Sequence, residues 1–242
     1  MIEAQLQPDT RLPRAVYDLG VRLGANTKAG ASIVRLKQIG RMKSKLDAAS
    51  WLSFSATQTI STRVCAFDWR ARFGPLGAVS VRDALVDGEG RLDVTALGFI
   101  PLSSAARSPA LTRGELMRYL AELAFAPDAI LHNANLRWRE DGQDALAVRV
   151  GTGDTESEVV LSLDSDGRIA GTYAPDRPRS TTAPFLPTPW RGRFSDYRWH
   201  DKRWLPFAGE VSWEVEGKEI VYWQGRIEHW EMEEQATAQG SG

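Results

Sequence analysis

The sequence predicts a mostly β member of the α+β class: one strongly curved antiparallel sheet, a half-open barrel, with one or two helices packed on its concave face. Three observations carry this. Apolar residues recur with period two in about twelve segments of the 242-residue chain and with helical spacing in only two. Gly/Asp turn signals separate the strand segments as they do in hairpins. Six of the nine tryptophans (Trp190, Trp199, Trp204, Trp213, Trp223 and Trp230) fall between Pro187 and Trp230, in alternating, arginine-laced patterns that suit a sheet bent around a large apolar interior. A run of hairpins this long must curl or close to protect its edges.

The elements follow in order. Leu12–Leu23 carries Val16, Leu19 and Leu23 at helical spacing behind Pro13, so a short amphipathic helix is expected there, followed by a loop over Gly24–Gly30. Ile33–Met42 alternates, with Val34, Leu36 and Met42 opposite Arg35, Lys37 and Arg41. Leu52–Ile60 places Leu52, Phe54, Ala56 and Ile60 on one face, and Val64–Phe73 aligns Cys65, Phe67, Trp69, Ala71 and Phe73. Val79–Val86 and Arg91–Leu97 form a hairpin around Asp87-Gly88-Glu89-Gly90, which completes a five-strand meander. Thr112 and Glu115 read as a capping box for a helix with Leu116, Leu120 and Leu123 in one stripe, ended by Pro127, with a further helical turn over Asp128–His132.

Strands resume at Leu136–Glu140, Ala145–Val150, Glu158–Asp164 and Arg168–Ala174. Pro175–Pro189, with five prolines, reads as an extended loop or lid. Trp190–Trp199, Leu205–Val215 and Glu219–Glu231 complete the set. The expected organisation is a single domain over residues 10–232, with flexible termini at 1–9 and 233–242.

Composition limits the function classes. The 43% hydrophobic content suffices for a core, and a net charge of −1 argues against a dedicated nucleic-acid binder. Arg11–Lys45 holds nine basic residues against Asp18, while Ala208–Glu234 holds eight glutamates against Lys218 and Arg226. That asymmetry suits either a basic face for anionic lipid or, more simply, two neighbouring strands whose charges pair. One cysteine, Cys65, excludes an intrachain disulfide and a cysteine-rich zinc site. Met1–Gln5 has neither a basic nor an apolar leader region, and no apolar run approaches the ~20 residues of a membrane span. A soluble, cytoplasmic protein is therefore expected.

Three motifs carry a resemblance: Val81-Arg82-Asp83-Ala84-Leu85-Val86-Asp87-Gly88-Glu89-Gly90, Gly114-Glu115-Leu116-Met117-Arg118-Tyr119-Leu120-Ala121-Glu122-Leu123, and Pro187-Thr188-Pro189-Trp190-Arg191-Gly192-Arg193-Phe194-Ser195-Asp196-Tyr197. With Tyr222-Trp223-Gln224-Gly225, they make the chain resemble a bacterial domain-of-unknown-function family over about residues 10 to 232. The resemblance implies a fold similar to the lipoprotein-carrier (LolA-like) half-barrel, a curved sheet whose helices plug its cavity. It implies no activity and no catalytic residues. Some relatives carry an N-terminal membrane segment; here peripheral membrane contact is the most that is expected.

The chemistry-bearing residues point to binding before catalysis. No glycine-rich turn opens a helix after a strand, and no metal-ligand spacing occurs around His132, His200 or His229, so neither cofactor nor metal is expected. Ser195, Asp196 and His200 are close in sequence, which alone makes no triad. Glu115 and Glu122 share a helix face, but the capping box already accounts for Glu115. Trp69-Arg70-Ala71-Arg72-Phe73 and Trp190-Arg191-Gly192-Arg193-Phe194 repeat one pattern, with aromatics and arginines on opposite faces. An arginine facing the concavity needs an acid (Asp68, Asp83, Glu122, Asp196 or Glu210) or an anionic ligand; the outer face is the other option.

The expected function is binding of a hydrophobic or amphipathic small molecule in a cavity lined by Trp69, Arg70, Trp190, Arg193, Tyr197, Tyr222 and Trp223. The arginines would anchor an anionic head group. Two other classes stand beside it. One is a cofactor-independent enzyme using Tyr119, Tyr197, His132 and Arg193; the other is an interaction domain without a ligand. Oligomeric state is not legible.

Overall fold

The computed structural model describes residues 12–28, 32–97, 100–179 and 185–234. Within these residues thirteen strands form one antiparallel sheet, β6-β5-β4-β3-β2-β1-β13-β12-β11-β10-β9-β8-β7. The first meander comprises β1 (Ser32–Met42), β2 (Leu52–Ser61), β3 (Phe67–Phe73), β4 (Val79–Val86), β5 (Glu89–Ala96) and β6 (Ile100–Ser104). The second comprises β7 (Arg137–Glu140), β8 (Ala145–Val150), β9 (Ser157–Leu163), β10 (Ile169–Arg179), β11 (Leu186–His200), β12 (Arg203–Val215) and β13 (Lys218–Glu234). The two meet where β1 pairs with β13, and the sheet curls into a half-barrel with β6 and β7 as its edges.

Alternation sets the faces. Val34, Leu36, Phe54, Ala56, Ile60, Phe67, Trp69, Ala71 and Phe73 are all buried on the concave side. Three hairpins turn on two residues with positive φ, Asp87-Gly88, Asp201-Lys202 and Glu216-Gly217, the geometry that matches strand twist.

The helices fill the curl. α1 (Arg14–Arg22) packs on α3 (Pro127–His132), and a Cβ on Gly20 would stand 2.6 Å from Leu131. α2 (Pro109–Ala121), continued by a 3-10 turn over Glu122–Phe125, contacts β4 and β5 on one arm and β8, β9 and β10 on the other. It thereby spans the concavity and buries Met117, Tyr119, Leu120 and Leu123 completely. Asp128 on α3 is fully buried and takes Arg203 Nε at 2.6 Å and Nη2 at 3.0 Å, which locks the helical segment to β12. Trp230 donates from Nε1 to Phe125 O at 2.8 Å and belongs to this packed end.

Several sequence expectations are corrected. The helix starts at Pro109 behind Ser108, whose Oγ accepts from Leu111 N at 3.1 Å. Thr112 lies inside the helix and accepts from Gly90 N instead, so Thr112 and Glu115 are no capping box. β3 begins at Phe67, leaving Val64 exposed, and Leu52 also faces solvent. β6 was not expected: it is a short edge strand containing Pro101. Pro175–Arg179 and Leu186–Pro189 are paired strand, not loop; residues 180–184 of the expected lid lie outside the described residues. Glu233, expected in a flexible tail, pairs with Ile33 in β13. The expected flexible segments 1–9 and 235–242 and the end of the Gly24–Gly30 loop lie outside the described residues. Among the described residues no helix is long and apolar enough to cross a membrane. The basic and acidic segments are neighbours, with Arg35 bonded to Glu233 at 2.6 Å across β1 and β13.

Candidate functional site

A cavity of about 260 Å³ lies between the concave face and the C-terminal turn of α2. Trp69, Trp190, Phe194 and Trp223 supply its aromatic wall, Met42 and Phe125 add to it, and Gly192 and Gly209 leave the space open. Glycine also seats the Trp223 ring: a Cβ on Gly225 would stand 2.3 Å from its Cη2. One bulge decides what β13 offers. Val211 pairs with Trp223 but Ser212 pairs with Val221, so Tyr222 is the extra residue, and both Tyr222 and Trp223 line the cavity.

The tryptophans are oriented by hydrogen bonds. Trp69 Nε1 donates to Gln38 Oε1 at 2.9 Å, and Trp190 Nε1 to the Tyr222 hydroxyl at 3.2 Å. Trp223 stacks on Phe54 at 5.9 Å, and Tyr222 on Trp213 at 6.0 Å.

Two arginines face this space, and neither belongs to the Trp-Arg strand motifs. Arg118 projects from α2 into a group of carboxyls, donating from Nη1 to Asp83 at 2.5 Å and from Nε to Glu122 at 2.9 Å. Its guanidinium lies 4.8 Å from the Phe67 ring centre and 5.1 Å from that of Trp69. Gln58 Nε2 donates to the other Glu122 oxygen. Burial works against the Arg118 charge, but Glu122, Asp83 and Glu115 outweigh it and hold the guanidinium protonated beyond the usual arginine range.

Glu115 stands behind this group at 5% exposure. Burial first, and the neighbouring Asp83 charge second, push its carboxyl well above the ordinary value. Glu115 Oε2 and Asp83 Oδ1 are both buried without a donor. One proton shared between the two carboxyls satisfies both atoms.

Arg177 reaches the cavity because β10 is bulged. Ala174 pairs with Trp190 and Arg177 with Thr188, so three steps on β10 match two on β11. Simple alternation would turn Arg177 outward; the extra residue turns it in.

The sequence-predicted residues separate into two groups. Trp69, Trp190, Tyr222 and Trp223 line the cavity. Arg70, Arg193 and Tyr197 do not. Arg70 lies on the outer face, paired with Asp68 at 3.0 Å, and Arg193 does likewise, bonded to Glu219 and to Glu210 at 3.3 Å. Alternation places these arginines opposite the inward aromatics. Tyr197 donates to Ile169 O at 2.7 Å, and burial pushes its phenol upward.

The residues weighed for catalysis are dispersed. Tyr119 donates to Ser61 O at 2.9 Å and accepts from Asn133, and His132 is bonded to Asn26 O at 2.6 Å. Neither lines the cavity. Sequence reasoning missed Arg118 and Arg177. The signals were present: Arg118 and Glu122 are four apart on one helical run, and Pro175 interrupts a strand pattern two residues before Arg177.

No curated protein matches the chain. Among solved structures, it is similar to the crystal structure of the LolA superfamily protein NE2245 from Nitrosomonas europaea, at 11% identity and a TM-score of 0.44, over 92% of this chain and 94% of that one. The model of a family of unknown function, DUF6920, matches residues 10–231, and the chain belongs to that family.

Proposed function

We propose that the protein binds a hydrophobic or amphipathic small molecule in the cavity between the curled sheet and α2. The observation that carries this reading is the cavity wall: three indoles, two phenylalanines and a methionine surround about 260 Å³, with charged and amide side chains set among them. Small-molecule sites have this composition, and the volume lies just below their usual range of ~300–1,000 Å³. At about 30 Å³ per water-sized group, there is room for roughly nine non-hydrogen atoms.

Gly209→Val tests the reading. A Cβ at Gly209 would meet Arg193 O at 3.4 Å and Trp223 Cζ3 at 3.8 Å, contacts a strand tolerates. The valine methyls would then occupy the cavity. The expected outcome is unchanged cooperative unfolding with loss of saturable octan-1-ol uptake, read by quenching of tryptophan fluorescence. Uptake equal to that of the unsubstituted protein would place binding elsewhere. Native mass spectrometry of the gently purified protein, with extraction of any passenger, gives the class of the natural molecule.

A further inference from the structure

Arg177 is 8% exposed and carries a permanent charge. Its Nε donates to Gly114 O at 3.1 Å, and its guanidinium lies 4.5 Å from the Trp190 ring centre and 5.5 Å from that of Trp213. Those contacts fix the plane of the group but use one of its five donors. Among the described residues, Nη1 and Nη2 bond to nothing, and no carboxylate pairs with the group. Arg177 nevertheless lines the cavity.

Tyr222 stands beside it. Its hydroxyl accepts from Trp190 Nε1 and gives its own proton to no described residue. Its ring stacks on Trp213, so Trp190 and Trp213 connect the phenol to the guanidinium. Most of the other polar groups of the wall are occupied, the buried Thr172 Oγ1 being an exception among the described residues. Trp69 Nε1 is held by Gln38, Asp83 and Glu122 by Arg118, and the second Glu122 oxygen by Gln58. The unused hydrogen bonds at Arg177 and Tyr222 are donors.

We propose that Arg177 and Tyr222 form a head-group subsite and that the group it receives is a carboxylate. A carboxylate brings two acceptors in one plane, matching the free Nη1/Nη2 end of the guanidinium, and a charge opposite to a buried cation that makes no ion pair among the described residues. An alcohol would bring one neutral acceptor oxygen in place of two charged ones, and an ammonium a like charge. This inference rests on the reading of the cavity as a binding site for an amphipathic molecule. With its limited volume, the ligand class is a short amphipathic monocarboxylate.

The test uses the full chain and three probes that share one tail: octanoate, octan-1-ol and octylammonium, each titrated calorimetrically. Octanoate is expected to bind at least about tenfold more tightly than octanol, with the ammonium weakest. Arg177→Met should remove the preference for octanoate over octanol, lowering the ratio of the two affinities at least about tenfold. Tyr222→Phe leaves the buried charge in place and should weaken octanoate about tenfold, which decides the matter if Arg177→Met does not fold. Equal binding of octanoate and octanol would overturn the carboxylate subsite and leave the cavity reading intact. Binding of none of the three would overturn both.

Discussion

Arg118 and Arg177 face the same cavity from opposite walls, and their surroundings differ in kind. Arg118 is embraced by Asp83 and Glu122, with Glu115 behind them. Arg177 has a carbonyl at one nitrogen and two indole faces against its plane. A buried cation with its acids in place is a structural joint: here it ties α2 to β4. A buried cation held flat by aromatics, its end left open, is poised toward whatever enters. The contrast is informative because both residues are arginines lining one cavity, so size, charge and residue type do not separate them.

The strongest way to break the comparison is to make the same substitution twice. Arg118→Met leaves buried carboxylates without their cation and should cost about 3–5 kcal/mol, read as a fall in the urea midpoint. Arg177→Met removes an uncompensated charge along with its indole contacts, and these effects nearly offset one another, so a change of less than about 1 kcal/mol is expected. Equal losses at both positions would erase the distinction.

A smaller effect comes from Glu115→Gln. The Glu115 carboxyl is raised in the folded state above its ordinary 4.5, so the stability it contributes as a neutral acid is complete below that value. It is lost as pH rises toward the folded-state value. Glutamine keeps the shape without the titration. The variant should therefore match the unsubstituted protein near pH 4 and become progressively more stable relative to it as pH climbs through the neutral range, as followed by urea midpoints. Parallel pH profiles would mean that Glu115 is charged and partners Arg177, which would sharpen the comparison in the opposite sense.

Arg193→Ala should give the smallest effect. Its partners Glu219 and Glu210 lie on the outer face, where solvent screens the pairs, so the cost should stay below about 1 kcal/mol at neutral pH with ligand uptake unchanged. The Glu219 carboxyl is held down to about 2, by its Arg193 hydrogen bond first and by Ser212 next. What it contributes is present above its ordinary value and is lost as pH falls through that range.

The half-barrel was legible because alternation over β1, β2, β3 and β11 is regular enough to identify both strand and face. The parts that escaped share one cause: they break the period. β6 hides because Ile100-Pro101-Leu102 is short and proline-bearing, as an edge strand permits. The Ser108 cap was passed over for Thr112, four residues further on, because Thr-x-x-Glu matches the capping pattern, yet Glu115 is turned into the core. The aromatic half of the cavity followed from alternation in Trp69 and Trp190. Its charged half did not. The same alternation that turns those indoles inward turns Arg70 and Arg193 outward, while the inward arginines come from a helix and from behind a bulge. A bulge changes facing with a single residue, and in a sequence without its partner strand it looks like a loop.

The pairing of β1 with β13 has a consequence for synthesis. Ser32 sits opposite Glu234, so the middle of the sheet is its last seam to close. A nascent chain that has assembled the first meander still presents the bare edge of β1 to its surroundings until about 130 further residues, from Ser104 to Glu234, have left the ribosome. Arg35, Lys37 and Arg41 on the outer side of that strand keep the waiting edge charged and soluble, so the basic stretch near the start of the chain also serves as a guard during translation.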